Sequence, residues 1–230
     1  MFVRLVAAAV LVLAAPVAAS ARPVVVELFT SEGCSSCPPA DAYLSELSRE
    51  RQDVLPLAFH VTYWNNLGWA DPYSFESATE RQAAYDVRFG DGSYTPEMVI
   101  DGRKGLVGSD RSAVEVAIRA AQRIDDTGAQ VEGVRRAGLV SITVGAGSGS
   151  GQVLLIGYDP DHTTAVGRGE NSGRTLRESN IVRSIQPIGN WTGAPLTLES
   201  AAPAGEQAAV IIQSPDGAIV GAARIAGGTH

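Results

Sequence analysis

Cys34 and Cys37 are the two cysteines of the chain, and they stand two residues apart in Thr30-Ser31-Glu32-Gly33-Cys34-Ser35-Ser36-Cys37-Pro38-Pro39. A Cys-x-x-Cys pair between an apolar run and a helix start can close a small disulfide, and backbone donors at a helix terminus favour a thiolate there. Thiol–disulfide exchange needs this arrangement, with Cys34 attacking and Cys37 resolving the mixed disulfide. Two other roles compete with it. A structural bridge is one, although closing so short a loop removes little chain entropy. A metal site is the other; with no second cysteine pair, it would need imidazoles from His60, His162 or His230.

The elements around the pair decide what it can reach. Residues 23–29 (PVVVELF) are a nearly continuous apolar run with β-branched character, the pattern of a buried parallel strand. A helix is expected over 38–51, with its prolines tolerated in the first turn and Ala40, Tyr43, Leu44 and Leu47 on its core face. Residues 54–61 (VLPLAFHV) read as a second buried strand, which completes a right-handed βαβ unit. Ligands collect beyond the carboxyl ends of such strands, so His60 and the aromatic-rich segment 62–73 are expected near the cysteines. His60 is a candidate for direct chemistry or for a satisfied core position. Tyr63, Trp64, Trp69 and Tyr73 are candidates for a recognition wall or for packing under a long loop. Glu27, a carboxyl group inside an apolar strand, is a candidate proton carrier; the alternative is a pair with an arginine or a solvated edge. A helix over 78–89 with a Ser77–Glu80 capping box, then Thr95-Pro96, a hairpin at Asp101-Gly102 and a helix over 112–124 complete this half.

Past residue 128 the helical periodicity stops. Apolar runs at 139–144, 153–158, 181–188, 208–213 and 218–225 alternate with turn-rich segments, which predicts an antiparallel sheet or small sandwich. The polar stretch Arg168-Gly169-Glu170-Asn171-Ser172-Gly173-Arg174 is expected to dock the two parts through Arg–carboxylate pairs or to lie in solvent. Arg4, an apolar run from Leu5 and a small-residue Ala19-Ser20-Ala21 site read as a secretory signal peptide. The expected organisation is a signal peptide (1–21), an α/β domain (22–127) and a β-rich domain (128–230), placed in the periplasm or outside the cell, where disulfides persist. No later segment has the roughly 20 apolar residues of a spanning helix, so no membrane insertion is expected after cleavage. A net charge of −7 argues against nucleic acid as a partner. No phosphate loop, Ser-His-Asp grouping or paired metal-ligand motif is present, so neither a cofactor nor a metal is expected.

Over residues 23–125 the order strand, Cys-x-x-Cys, helix, strand, helix, Thr-Pro, hairpin, helix resembles the thioredoxin-like superfamily. The resemblance implies an α/β thioredoxin-like domain followed by an all-β domain. It also implies a cis Thr95–Pro96 bond with Pro96 beside the disulfide, and Glu27 as proton shuttle for Cys37. More narrowly, VVELFTSEGCSSCPPAD, AFHVTYWNNLGWADP, YTPEMVIDG and RGENSGRTL are similar to an uncharacterised family of secreted bacterial thioredoxin-like proteins, domain of unknown function 1223. The expectation is a secreted oxidoreductase that exchanges disulfides with protein thiols, supported by an unidentified redox partner. Thr95, His60, Tyr63, Trp64 and Trp69 would contact the substrate. The alternatives are a binding module with an inert disulfide, and copper or zinc delivery by the two thiols with His60.

Overall fold

The apolar run after Pro23 forms β1 (Val24–Thr30), and the cysteine loop then enters α1 (Pro38–Glu50). In this computed structural model the described residues are 22–124 and 128–227, so the expected signal peptide, Thr127 at the expected domain boundary, and His230 lie outside them. Pro38 and Pro39 open α1, and Arg51 closes it in an extended conformation with its N–H on the Leu47 carbonyl. β2 (Val54–His60), α2 (Glu76–Phe89), β3 (Glu97–Ile100), β4 (Lys104–Val107) and α3 (Arg111–Ala121) follow. α2 starts before the expected capping box, behind an extended Phe75 that makes no side-chain cap, and stops at Gly90 in the left-handed region (φ 76°). The described second half holds β5 (Val131–Arg136), β6 (Leu139–Val144), β7 (Gly151–Ala165), β8 (Thr175–Trp191), β9 (Leu196–Ala201), β10 (Gln207–Gln213), β11 (Ile219–Arg224) and β12 (Ala226–Gly227).

The strand order overturns the expected fold class of an α/β thioredoxin-like domain followed by an all-β one. One mixed eight-stranded sheet runs β11-β10-β7-β8-β2-β1-β3-β4 and takes strands from both halves, while β12-β5-β6-β9 make a second sheet. With twelve strands and three helices among the described residues, the protein is mostly β. The physical reason is the length of β7 and β8, 15 and 17 residues, which pair as one antiparallel hairpin and continue well past their apolar centres. β8 lies parallel to β2 through a single backbone pair, Ala58↔Ile181. A proline has no N–H for a ladder; at Pro56 the carbonyl is used instead, by Asn180 Nδ2 at 2.8 Å.

Alternation along the strands sorts the core. Val25, Phe29, Leu55 and Phe59 face α2, in one cluster with Leu154, Ile156 and Ile211. Val26, Leu28, Ala58 and Met98 face α1 and α3. Val153, Leu155 and Val210 pack on Val140 and Ile142 of the second sheet. The large sheet therefore carries α2 on one face, and on the other α1 and α3 at one end and the second sheet at the other.

Candidate functional site

Cys34 and Cys37 are joined in a disulfide, with S–S 2.14 Å and Cα–Cα 5.4 Å. The Cys34 N–H donates to the Ser31 carbonyl (3.0 Å), and Cys37, the N-cap of α1, donates its N–H to the Cys34 carbonyl (3.2 Å). Both cysteines are fully buried, while Ser35 and Ser36 between them are exposed. Ser36 Oγ lies 3.4 Å from Cys34 Sγ and donates to the Thr95 carbonyl at 3.5 Å. The Thr95–Pro96 bond is cis. Trp64 Nε1 donates to Thr95 Oγ1 (2.9 Å), and a Cβ on Gly33 would lie 3.2 Å from Trp64 Cβ. Thr95, Pro96 and Trp64 thus stand at the cysteine loop.

The helix terminus offers a thiolate less than its position suggests. The first N–H groups of a helix are the ones free to face an anion. Pro38 and Pro39 have none, and the Ala40 and Asp41 N–H groups both donate to the Cys37 carbonyl (2.9 and 3.1 Å). The Ser35 N–H is taken by Glu170 Oε2 at 3.0 Å. The macrodipole remains; most point donors do not.

Glu170 comes from the β7–β8 connection, residues 166–174, which the Val166 N–H closes on the Arg174 carbonyl (2.9 Å). The neighbouring Asn171 is fully buried and donates from Nδ2 to the Glu32 and Cys34 carbonyls, both at 2.9 Å. Its Oδ1 accepts from Arg174 Nη1 at 3.0 Å. In place of the expected Arg–carboxylate pairs, an amide and a carboxylate hold the backbone of the cysteine loop. Gly68 and Gly169, both at positive φ (108° and 73°), let the aromatic segment and this connection meet.

Below the loop lies a cluster of ionisable groups. His60, at the end of β2, is fully buried with Nδ1 2.7 Å from Asp71 Oδ2 and Nε2 4.0 Å from Glu178 Oε1. Asp71 also accepts the Glu32 and Tyr73 N–H groups at 2.8 and 2.9 Å. Asp41 accepts from Thr30 Oγ1 (2.7 Å), and Glu32 from Trp69 Nε1 (2.7 Å). Burial lowers the His60 pKa, but Asp71 and then Glu178 outweigh it and hold the imidazolium up to about 10. Burial likewise opposes ionisation of Asp71, yet the His60 charge and the hydrogen bonds overcome it and its pKa is lowered. For Glu32, Asp41 and Glu178 burial wins, and all three carboxyls are raised. His60 Nε2, Glu32 Oε1 and both Glu178 oxygens have no hydrogen-bond partner among the described residues. Among those residues, no three His, Cys, Asp or Glu side chains are grouped so as to hold a metal ion.

Glu27 is not brought to this site. It faces α2, across the sheet from α1, where Arg81 Nε and Tyr85 Oη both approach it to 2.5 Å. The shuttle role that the superfamily resemblance implies is thereby corrected: the sheet separates Glu27 from Asp41 and the α1 side. Trp64 and Trp69 border the cysteine loop, whereas Tyr63 is turned to α2, with its hydroxyl on Gln82 Oε1 (3.2 Å). Tyr73 meets the His60 ring edge-on (5.7 Å) and stacks on His162 (4.6 Å). Sequence reasoning missed Asp41, Asp71, Glu178, Glu170 and Asn171 as site residues. A signal existed for Asp41, which stands four residues after Cys37 on the same helix face, and for Glu178, which shares the alternation of buried Leu176.

Known proteins give a consistent frame. A family profile described as a protein of unknown function, DUF1223, matches residues 25–213. No curated protein matches the chain. The chain is similar to the X-ray crystal structure of protein AGR_C_4864 from Agrobacterium tumefaciens, with 33% identity, TM-score 0.80, and coverage of 91% of this chain and 96% of that one. HBP35 of Porphyromonas gingivalis shares the fold at 14% identity, with TM-score 0.62 over 88% of this chain and 74% of that one. No helix among the described residues is long and apolar enough to cross a membrane. With the profile spanning most of its length, the chain belongs to the DUF1223 family.

Proposed function

We propose that the protein is a secreted or periplasmic thiol–disulfide oxidoreductase that exchanges disulfides with protein thiols through Cys34 and Cys37. One observation carries the reading: a disulfide with a sequence separation of 3 at the N-terminus of a 13-residue helix. A bridge that short adds little stability, so chemistry is the better reason for it. A partner thiolate attacks Cys34 Sγ, the S–S bond breaks and its electron pair passes to Cys37. A second partner thiolate then attacks the partner's sulfur in the mixed disulfide and releases Cys34. Thr95, Trp64 and Trp69, which border the cysteine loop, would meet the substrate, while the fully buried His60 would not touch it. Because most donors at the helix terminus are absent or taken, the thiol form is favoured. The couple should then lie on the order of −270 mV rather than −120 mV.

The test is trapping. A Cys37→Ala variant should accumulate mixed disulfides with proteins of its native compartment, visible on non-reducing gels and lost in a Cys34→Ala background. No adduct, combined with no turnover of a model protein disulfide by the wild type, overturns the reading. The second reading, a binding module with a structural disulfide, is favoured by the full burial of both cysteines under Asn171. It requires a potential below about −300 mV and no exchange.

A further inference from the structure

Acidic residues outnumber basic ones in this chain, 25 to 18, so an arginine has a choice of partners. Arg51, Arg111, Arg119 and Arg183 each pair with a carboxylate. Arg49, Arg177 and Arg224 are in no ion pair among the described residues, yet all three line the same cavity of about 690 Å³. It lies between α1 and the β7–β8 hairpin, and no residue of the cysteine loop forms its wall. Local structure explains where two of the three stand, not why they gather. Arg49 is in the last turn of α1, where a cation complements the helix dipole. Arg224 of β11 donates to the Gln52 carbonyl (3.3 Å) and to the Val54 carbonyl, just past that helix. Both roles use a guanidinium without neutralising it. Arg177 of β8, opposite Thr163 of β7 in the ladder, makes no side-chain hydrogen bond among the described residues.

Like charges drawn to one cavity repel, which costs stability unless a counter-charge is supplied. The acids of the wall do not supply enough of it. Glu178 is buried there, and burial holds its pKa up to about 8, so at neutral pH it is mostly uncharged. His162 is engaged elsewhere, with Nε2 2.8 Å from Asp159 and its ring on Tyr73. Three guanidiniums against the one carboxylate of Asp161 leave an excess of two positive charges. A phosphate monoester carries about −1.5 to −2 at pH 7, and the guanidinium fork matches its oxygens. The cavity is also larger than a lone ion needs, within the roughly 300–1,000 Å³ of small-molecule sites. Ser48, Gln52, Thr163 and Gln207 bring hydroxyls and amides to its wall, which suit a hydroxylated body.

We propose that this cavity binds a sugar or polyol phosphate monoester, with Arg49, Arg177 and Arg224 serving the phosphate and the hydroxyl and amide side chains serving the body. Charge complementarity carries the assignment: a dianion cancels what the wall leaves uncancelled, and a neutral polyol does not. The site goes beyond the exchange reading and stands whether or not Cys34 and Cys37 are cycled.

Titration calorimetry of the disulfide-bonded protein at constant ionic strength tests it, with glycerol 3-phosphate, inorganic phosphate, citrate and glycerol as probes. Glycerol 3-phosphate should bind one to one, inorganic phosphate and citrate on the order of tenfold more weakly, and glycerol not at all. Arg49 and Arg177 are exposed, so their glutamine variants keep the fold. Each of Arg49→Gln and Arg177→Gln should weaken glycerol 3-phosphate on the order of tenfold, and the two together should abolish binding. Arg119→Gln removes an exposed arginine of α3 outside the cavity and should bind as the wild type does. Thermal unfolding is an independent arm: glycerol 3-phosphate should raise the Tm of the wild type and of Arg119→Gln, but not of the double variant. No heat with glycerol 3-phosphate, equal affinity for inorganic phosphate, tighter binding of citrate, or an equal loss in Arg119→Gln overturns the proposal. So does capture of the protein by phosphatidic acid vesicles that glycerol 3-phosphate does not displace, because the phosphate recognised would then be that of a lipid.

Discussion

Two groups of buried ionisable side chains lie on opposite faces of the same sheet and follow different rules. On the α2 face, Glu27 meets Arg81 and Tyr85, and Arg81 places its remaining donors on Gln213 and Tyr85 (3.1 and 3.0 Å). The charges cancel and the guanidinium also lies over the Phe59 ring at 5.7 Å. On the α1 face, one histidine faces Asp71, Asp41, Glu178 and Glu32, and several oxygens go unanswered. A closed buried pair gives order, although apolar packing would serve stability as well. A surplus of buried acid serves it worse, so its presence beside a disulfide points to use.

Removing the cation on the balanced side should have the largest effect. Arg81→Met leaves Glu27 buried with a hydroxyl for company, which should cost about 3–5 kcal/mol in denaturant unfolding. Exchange at Cys34 in the surviving folded protein should be unchanged. If Glu178→Gln costs as much, the contrast between the faces is wrong.

Next in size is the contact that covers the acid-rich side. Asn171→Ala removes two hydrogen bonds to the Glu32 and Cys34 carbonyls and should cost about 1–3 kcal/mol. It should also speed reduction of the disulfide by a protein thiol more than by dithiothreitol, because the larger reagent gains more from an opened loop. Equal acceleration of both would mean that Asn171 supports the loop without restricting access.

How far this contrast could be read from the sequence follows from the range of the contacts. β1, α1 and β2 were legible because their apolar periods are local, and so was the helix start at Pro38. The shared sheet was not. Arg177, Glu178, Ser179 and Asn180 interrupt the apolar run of β8, so the pattern places the start of the strand at Ile181, and its one pair to Ala58 bridges halves with no local signal. The candidate site divides in the same way. Cys34 and Cys37 announce themselves by type and spacing, Thr95 and Pro96 through the resemblance over residues 23–125, and His60 by its place at a strand end. Buried acids do not, because Asp41 and Glu178 look like solvated positions until the partner element is known. Glu27 misleads for a related reason: alternation places it on the opposite face from Leu28, but only the fold shows that α1 covers the Leu28 face.

A smaller effect distinguishes the faces by pH. A carboxyl raised by burial holds its proton more tightly in the folded state than in the unfolded one. Glu178 therefore weakens the fold as pH rises from 4.5 toward its raised folded value. His60 adds to the trend: its contribution is complete below 6.5 and lost as pH rises through about 10. In urea unfolding at stepped pH, Glu178→Gln should gain on the wild type across the first window and match its slope below 4.5. Parallel curves throughout would show that Glu178 titrates alike in both states.

The smallest expected effect tests how surface charge bears on the chemistry of Cys34. Glu170 is exposed and accepts the Ser35 N–H, so its carboxylate opposes a thiolate next door and is itself lowered by that hydrogen bond. Glu170→Gln keeps an acceptor for the Ser35 N–H and removes the charge. The Cys34 thiol of the reduced protein should titrate slightly lower in the variant, read from the pH dependence of alkylation. The difference should fade near 1 M salt, where the screening length is about 3 Å. A difference that survives high salt would mean that Glu170 acts through the Ser35 N–H. The surface acid would then reach the cysteine through that hydrogen bond rather than through the field.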